Sequence, residues 1–167
     1  MCTGNICRSP TAERLAATYA ARLQIPDFQS SSAGTRAVID GPIHPEATRV
    51  LEKLGGDPAG FAARQLTTKI ASNADLIIAM TAKHRDRVLE LAPQKLKKTF
   101  TLTEAAALVT QLNAQHLADL VTLRPKLAAH DRLDVPDPIG QGADVFDTVG
   151  AQIAALLPPV IALCQRG

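Results

Sequence analysis

The most informative segment of this chain is residues 2–10, which read Cys2-Thr3-Gly4-Asn5-Ile6-Cys7-Arg8-Ser9-Pro10. It places a thiol, five loop residues, an arginine and a hydroxyl immediately before the start of a predicted helix. Backbone N–H groups of such a loop can converge on a tetrahedral oxyanion, and the helix N-terminus behind them favours negative charge. The Arg8 guanidinium can bind two oxygens of that anion at once. This spacing therefore predicts a loop that binds a phosphate-like anion.

Cys2 is the candidate nucleophile of this loop. An isolated cysteine is usually a small core residue, and an isolated arginine is usually a surface charge. Beside Gly4 and Ser9, however, the thiol lies in the positive field of Arg8, so we expect it to lose its proton near neutral pH. The thiolate is the form that attacks, and phosphoryl transfer through a cysteine requires these parts at this spacing.

Length and composition predict one domain over residues 1–167, with no nucleic-acid or membrane partner. The chain is 46% hydrophobic with a formal net charge of +2, and its densest basic run covers only residues 95–98. We expect no apolar segment to reach the ~20 residues that span a bilayer. Three cysteines do not make a disulfide framework, and a working thiolate suits the reducing cytoplasm. We expect a cytoplasmic monomer.

The third thiol and the imidazoles are interpreted as structural groups. Cys164 lies on an apolar stretch near the C-terminus, and we expect it in the core. The histidines show no spacing typical of metal ligands, and we expect them on helix surfaces. They are His44, His84, His116 and His130. No metal site is predicted.

Hydrophobic periodicity and helix-breaking residues divide the chain into alternating helices and strands. Ser9 is predicted as the N-cap and Pro10 as the first residue of a helix that runs to residue 24. Strands are predicted at residues 28–32, 76–80 and 99–102. Further helices are predicted at residues 44–54, 82–91, 103–112, 117–123 and 143–157, the last of them broken by Pro158 and Pro159. Strands that alternate with helices are typical of an α/β fold with a parallel sheet.

The ordered set of motifs resembles the low-molecular-weight protein tyrosine phosphatases, whose signature is Cys-x5-Arg-Ser. A second match is Val-Pro-Asp-Pro at residues 135–138, where that family carries a general-acid aspartate. Shorter matches fall in the family's order at residues 32–35, 41–45, 64–66 and 75–80. The resemblance covers nearly the whole chain. It implies a three-layer α/β domain with a central four-stranded parallel sheet of strand order 2-1-3-4.

The resemblance also implies a reaction. The family hydrolyses phosphate monoesters, so the expected substrate is protein phosphotyrosine or a small aryl phosphate, with inorganic phosphate as product. Cys2 would form a phosphocysteine intermediate, Arg8 would hold the phosphoryl oxygens, and Asp137 would act as general acid and then general base. No cofactor is expected, because loop amides and the guanidinium supply the positive charge. The implied substrate-binding residues are Thr3, Gly4, Asn5, Ile6, Cys7, Ser9 and Ile139.

Three loop residues have more particular expectations. The Ser9 hydroxyl would donate to the Cys2 sulfur and stabilise the thiolate. Asn5 suits the left-handed backbone angles that a tight anion-binding loop requires. Cys7 either packs as an inert thiol or pairs with Cys2 under oxidation, a redox role that the resemblance implies. A structural alternative to the general-acid role is that Asp137, which lies between two prolines, only shapes a turn.

Two positions near the loop depart from the family pattern. Ile139 stands where many relatives have an aromatic residue beside the substrate ring, which weakens the argument for aryl phosphates without excluding them. Phe61 stands where some relatives have a histidine that braces the loop, so rigidity must come from Asn5, Ser9 or Ser32. The second wall of the cleft is expected at residues 35–45, with Ile39 and Ile43 as its apolar side chains.

The start of the chain also departs from the family pattern. The family's first strand is central in the sheet and directly precedes the loop, whereas here the loop begins at residue 2. We therefore expect residues 28–32 and 76–80 to flank an empty slot, with unpaired backbone groups and lost apolar burial. The first strand is interpreted as missing or truncated, through a start that was assigned too late or residues that were lost.

Two other functions remain open at this point. A thiol-dependent arsenate reductase uses a similar fold and loop, but its disulfide cascade needs further cysteines, and none lies between Arg8 and Leu163. A non-catalytic phosphate or phosphoprotein binder would follow if a misplaced Cys2 bound the anion without turning it over. Thioredoxin-coupled arsenate consumption would identify the first, and binding without hydrolysis would identify the second.

Overall fold

Short parallel strands and surrounding helices make up this computed structural model, which describes residues 1–128 and 133–165. The strands are β1 (Ile77–Ala79) and β2 (Thr99–Thr101). The α-helices are α1 (Arg8–Arg22), α2 (Pro45–Lys53), α3 (Thr68–Asn73), α4 (Ala82–Leu91), α5 (Leu102–Thr110), α6 (Leu117–Leu123) and α7 (Ala143–Leu163). Short 3-10 helices span Pro93–Lys98 and Arg124–Lys126. The chain is thus an α/β fold, as the sequence predicted.

The sheet is smaller than predicted. β1 and β2 pair in parallel, with Ile77 opposite Thr99. On the other side of β1, the Met1 ammonium donates to the Ile78 carbonyl at 2.7 Å, and the Met80 N–H donates to the Met1 carbonyl at 2.9 Å. Isolated parallel bridges then join Cys2 to Gly34 and Gly34 to Gln65. Beyond β1 and β2, the described residues extend the sheet only by these single bridges, so four full strands are not formed.

The strand predicted at residues 28–32 is wrong, and a cavity explains why. A cavity of about 770 Å³, which we call the slot, lies between residues 28–32 and the stretch before and within β1. Its other walls come from α1 and the C-terminal part of α7, including Ala12, Ala16, Leu157, Val160 and Ile161. A strand forms only when neighbouring backbone groups pair. Residues 28–32 face the slot instead of a neighbouring strand. The empty slot that the sequence predicted beside them is therefore present.

The long C-terminal helix also differs from the prediction. α7 continues through Pro158 and Pro159, although the sequence predicted an end at residue 157. A helical proline leaves the carbonyl four residues earlier without its usual N–H donor. The Tyr19 hydroxyl donates to one such carbonyl, that of Ala154, at 3.4 Å.

This helix has 21 residues and is apolar enough to meet the length and composition of a membrane span, so the prediction that no segment would do so is wrong. In the fold it packs against α1, α2 and α5. At Gly150 a Cβ would lie 2.2 Å from a Val50 side-chain atom, so only glycine permits this approach of α7 to α2. Its residues Phe146, Val149 and Ile153 are buried in the core.

The other helices largely follow the sequence. The predicted helices at 82–91 and 117–123 match α4 and α6, and those at 44–54 and 103–112 match α2 and α5 within two residues. α1 begins at Arg8 with Cys7 as its N-cap residue and no side-chain cap, so the N-cap role predicted for Ser9 is wrong. α3 was missed, although the Thr67 side chain caps it by accepting the Ile70 N–H.

Candidate active site

The loop between Cys2 and Arg8 has its carbonyls turned outward. Four of them accept hydrogen bonds from backbone N–H groups of residues 35–44 at 2.7–3.0 Å. The donor and acceptor pairs are Thr35 to Cys2, Arg36 to Thr3, Val38 to Gly4 and His44 to Ile6. Within the described part of the chain, the N–H groups of residues 3–7 donate to no protein acceptor. They are therefore available to an anion held by the loop.

Asn5 is the hub that keeps the loop in shape. Its backbone has φ 55°, the left-handed conformation that the sequence predicted, and its side chain is fully buried. Its Oδ1 accepts the Arg64 N–H at 2.9 Å. Its Nδ2 donates to Ser9 Oγ at 3.0 Å and to Ser32 Oγ at 2.7 Å. All of its polar contacts thus join the loop to α1 and to residues 32 and 64, which provides the rigidity that Phe61 cannot.

The nucleophile candidate is buried beside a hydroxyl. Cys2 Sγ lies 2.9 Å from Ser9 Oγ, and the Cys2 side chain is 3% exposed. Because Ser9 Oγ already accepts a hydrogen from Asn5, its own proton is free to be donated to the sulfur. A hydrogen bond donated to the sulfur favours the charged thiolate over the thiol.

Arg8 joins two regions that are distant in sequence. Its guanidinium is 4% exposed and donates through Nη2 to Asp137 Oδ2 at 2.6 Å, an ion pair between residues 129 positions apart. Its Nη1 donates to the Val135 carbonyl at 3.0 Å. The Asp137 side chain is 48% exposed, so its carboxylate lies at the surface above the buried guanidinium. The structure therefore brings Asp137 into contact with Arg8, the residue that ends the loop begun by Cys2.

The rim of the loop is partly apolar. Val38, Ile39 and Ile139 are 52%, 63% and 44% exposed, respectively. Val38 contacts the loop through its N–H to Gly4, and the Ile139 N–H donates to Asp137 Oδ1 at 3.3 Å. Ile43, which the sequence assigned to the cleft wall, is 5% exposed and belongs to the core, so that assignment is wrong. Val38 is exposed beside Gly4, and Ile39, which the sequence did assign to this wall, is exposed next to it in the chain.

Cys7 is a buried thiol at the start of α1. Burial is the main cause that raises its pKa to about 12, and the neighbouring Cys2 raises it further, while Arg8 opposes the shift. The thiol therefore stays protonated at neutral pH. Cys2, Cys7 and Cys164 are all free in this structure. Cys164 is half-buried just beyond α7 and lines the slot, so it is less buried than predicted.

His84 is the residue that sequence reasoning missed. It was expected on a helix surface but is 6% exposed, with Nε2 2.9 Å from Thr3 Oγ1. Its Nδ1 lies 2.9 Å from Thr81 Oγ1. Burial first, and Arg8 second, lower the pKa of His84 to about 4, so the ring is neutral at physiological pH. Spacing along α4 alone gave no signal for a contact with a loop that lies 81 positions away.

The other histidines are less closely involved. His44 is half-buried and caps α2 by accepting the Glu46 N–H, and its ring stacks on Phe146 at 5.0 Å. His116 is exposed before α6, as predicted, and His130 lies outside the described residues. Among residues 1–128 and 133–165, no group of three or more His, Cys, Asp or Glu is placed to hold a metal ion.

The chain is similar to known proteins of one family. A family model described as low molecular weight phosphotyrosine protein phosphatase matches residues 1–119. The chain is 32% identical to the low molecular weight protein-tyrosine-phosphatase Etp of Escherichia coli, over 89% of this chain and 81% of that protein. Across the curated relatives, the aligned share of the relative's own length runs from 60% to 81%.

Solved structures give the same picture. A low molecular weight protein tyrosine phosphatase from T. tengcongensis superposes with a TM-score of 0.77 at 28% identity, covering 96% of this chain and 93% of that one. The YwlE arginine phosphatase from Geobacillus stearothermophilus superposes with a TM-score of 0.72 at 27% identity, covering 96% and 86%. The backbone is thus similar to enzymes that are named for two different phosphorylated residues.

Proposed function

We propose that this chain hydrolyses phosphate monoesters, and the premise is its family: the chain belongs to the low molecular weight phosphotyrosine protein phosphatases. The proposed substrate is protein phosphotyrosine or a small aryl phosphate, and the product is inorganic phosphate. The single observation that carries the assignment is the 2.6 Å contact between Arg8 and Asp137. It places an acid–base group beside the arginine of an anion-binding loop that also holds a buried thiol.

In the first step, the Cys2 thiolate attacks phosphorus in line with the leaving oxygen. A P–S bond forms as the P–O bond to the leaving group breaks, and Asp137, which takes the proton that a monoanionic phosphate monoester brings, donates it to that oxygen. Arg8 and the N–H groups of residues 3–7 bind the other phosphoryl oxygens, where charge develops in the transition state. The guanidinium, which pairs with Asp137 in the free protein, is then shared with the phosphoryl group.

In the second step, water attacks the phosphocysteine. Asp137, now ionised, takes a proton from that water, the P–S bond breaks, and inorganic phosphate leaves. The hydrogen bond from Ser9 stabilises the departing Cys2 thiolate, as it did the attacking one. Asp137 passes this proton to the departing phosphate, so that the enzyme ends in its starting state and one water molecule has been consumed.

The rim supports an apolar or aryl leaving group. Val38, Ile39 and Ile139 present exposed aliphatic side chains around the loop, and such groups can pack on the faces of a phenyl ring. Phosphoarginine is the second candidate substrate, because arginine phosphatases share this backbone at nearly the same TM-score as the tyrosine phosphatases. The guanidinium of a phosphoarginine substrate could pair with the Asp137 carboxylate, but the three aliphatic side chains would offer it no polar contacts.

The test compares turnover of phosphotyrosine peptide, para-nitrophenyl phosphate and phosphoarginine by the unaltered chain and by Cys2→Ser. We expect the aryl substrates to be turned over fastest and Cys2→Ser to lower kcat by at least about 10⁴-fold. Acid quenching during turnover should trap phosphate on Cys2. Turnover that survives Cys2→Ser would contradict the mechanism, and faster phosphoarginine hydrolysis would replace the proposed substrate.

The same assay separates the alternatives. Binding of phosphotyrosine without hydrolysis would favour the non-catalytic binder. Arsenate consumption coupled to thioredoxin would favour the reductase, whose cascade would need a resolving thiol, and Cys7 is the thiol nearest in sequence to Cys2. Neither alternative gives a role to Asp137, whereas hydrolysis uses it twice.

The finer organisation is also proposed. We infer one domain over residues 1–167 that is a cytoplasmic monomer without nucleic-acid or membrane partners. We also infer a four-stranded order 2-1-3-4, in which a strand through the slot would pair with residues 28–32 on one side and β1 on the other. The bridge from Cys2 to Gly34 and the bonds from Met1 to β1 support that order, because they have the register such a strand would continue.

A further inference from the structure

A short relay of hydrogen bonds ends at the second residue of the loop, and the proposed mechanism does not use it. It runs from Thr81 through the ring of His84 to Thr3, with two contacts of 2.9 Å. The His84 ring is buried, and the two threonines are half-buried, so both contacts are partly shielded from water. A buried imidazole with a partner on each nitrogen is held in one orientation.

Two tautomers of the neutral imidazole complete this relay. Thr81 Oγ1 caps α4 by accepting the His84 backbone N–H at 3.2 Å. With the hydrogen on Nε2, the ring donates to Thr3 Oγ1 and accepts from Thr81 at Nδ1; with the hydrogen on Nδ1, the ring donates to Thr81 and accepts from Thr3. In either tautomer both ring nitrogens are bonded, and Nε2 is the atom that reaches Thr3.

The segment that carries His84 also holds the loop with the acid. The Ala82 N–H at the start of α4 donates to Asp134 Oδ1 at 2.7 Å. The Val135 N–H donates to the Met80 carbonyl at 2.8 Å, two residues before Asp137. Residues 80–84 are therefore attached to the nucleophile loop through His84 and to the acid loop through the backbone.

We propose that His84 is a positioning residue that holds Thr3, and with it the first turn of the loop, at a fixed place relative to Asp137. The inference rests on the proposed function, because it concerns how the same site is aligned. It assigns no contact between His84 and the substrate. Misplacing a catalytic group by about 1 Å can cost as much as about 10²-fold in rate. Loss of the hydrogen bond between His84 and Thr3 should therefore lower kcat.

The test replaces His84 by two amide side chains of different length, Gln and Asn. In His84→Gln the amide nitrogen stands near the place of Nε2 and can still donate to Thr3. In His84→Asn the amide stands near Nδ1 and reaches only Thr81. We expect His84→Asn and His84→Ala to lower kcat for para-nitrophenyl phosphate about 10- to 100-fold with KM changed less than about threefold, and His84→Gln to recover most of the loss.

Two further variants separate positioning from general destabilisation. Val88→Ala removes a buried side chain from the same helix and should lower the unfolding midpoint without changing kcat. Thr3→Val removes the other partner of the relay, and the double variant Thr3→Val with His84→Ala should be no slower than the slower single variant. Equal kcat for His84→Gln and His84→Asn, or additive losses in the double variant, would overturn the proposal.

A second measurement keeps this test independent of turnover. Iodoacetate is an anion that alkylates the Cys2 thiolate, so its rate reports the alignment of loop and thiolate even if the unaltered chain hydrolyses nothing. We expect alkylation to slow about tenfold in His84→Asn and His84→Ala but not in His84→Gln or Val88→Ala. Failure of the phosphatase proposal would appear as absent turnover in the unaltered chain. Failure of the positioning proposal would appear as identical alkylation rates across the His84 variants.

Discussion

The loop region and the slot lie on either side of Met1 and Cys2. The loop region is held by many hydrogen bonds, whereas the slot is a cavity. Around the loop, short hydrogen bonds join side chains and backbone groups of five segments of the chain. These segments are residues 1–9, 32–44, 64, 80–84 and 133–137. At the slot, a cavity of about 770 Å³ lies between residues 28–32 and β1, and within the described part of the chain residues 28–32 have no strand partner.

This contrast indicates that the geometry of the candidate site does not depend on how complete the sheet is. The loop is held by Asn5, by outward-turned carbonyls and by the ion pair between Arg8 and Asp137, none of which needs the slot to be filled. The stability of the whole chain does depend on the slot, because apolar walls that face a cavity lose burial and packing contacts. We therefore expect changes at the loop to affect activity most and changes at the slot to affect stability.

The largest effect is expected at the acid. Asp137→Asn keeps the size of the side chain but removes the proton donor, so kcat should fall about 10²- to 10⁴-fold for phosphotyrosine peptide. The loss should be much smaller for a substrate with a strongly acidic leaving phenol, since such a group departs without protonation. Steady-state kinetics with a series of substituted aryl phosphates measures this. An equal loss for every leaving group would show that Asp137 only shapes its turn.

A matched pair of polar deletions compares the two regions directly. Asn5→Ala removes three hydrogen bonds, those to Ser9, Ser32 and the Arg64 N–H, and should lower the free energy of unfolding by about 1–3 kcal/mol while reducing activity. Ser30→Ala, beside the slot, removes one bond to the Glu13 carbonyl and should cost about 0.5–1.5 kcal/mol with no effect on kcat. Urea unfolding and turnover are measured on both. A loss of activity in Ser30→Ala would mean that the two regions are coupled.

The slot itself can be filled from outside. An acetylated peptide of five alternating Val and Leu residues, preceded by two Lys for solubility, should bind as a strand and raise the unfolding midpoint by about 2–8 °C when present well above its Kd. The same peptide with a central proline cannot complete the ladder and serves as the control. Thermal unfolding followed by circular dichroism gives the shift. Equal shifts with both peptides would show that the slot does not select a paired strand.

The smallest effect is a pH dependence at His84. Burial and the positive charges of Arg8 and the Met1 ammonium hold its pKa near 4, below the ordinary 6.5, while Asp134 and Asp137 oppose the shift. Between those values the unfolded chain binds a proton that the folded chain does not, so stability falls as pH drops from about 6.5 towards 4. Urea unfolding at pH 7 and pH 5 should show a loss on the order of 1 kcal/mol that is absent in His84→Gln. Parallel losses in both proteins would contradict this origin.

Local sequence was a reliable guide where neighbouring residues decide the outcome. Asn5 was predicted to have a left-handed backbone because few residues adopt one, and its φ of 55° confirms this. Anion binding by the loop between Cys2 and Arg8 stays a prediction, supported by loop N–H groups that have no protein acceptor among the described residues. The bounds of α4 and α6 matched the prediction because their periodicity and caps are contained within each segment. Asp137 was found only through a motif that resembles a known family, since nothing in its own neighbourhood points to the loop.

Long-range structure decided the rest. The composition of the candidate site follows from the sequence, because a thiol, amides and a guanidinium within nine residues are kept together by covalent connection. Tertiary contacts were needed to show that His84 lies against Thr3, that residues 28–32 have no strand partner among the described residues, and that α7 continues through Pro158. Each of these depends on which segments meet after folding, and local propensity carries no information about a partner that lies tens of residues away.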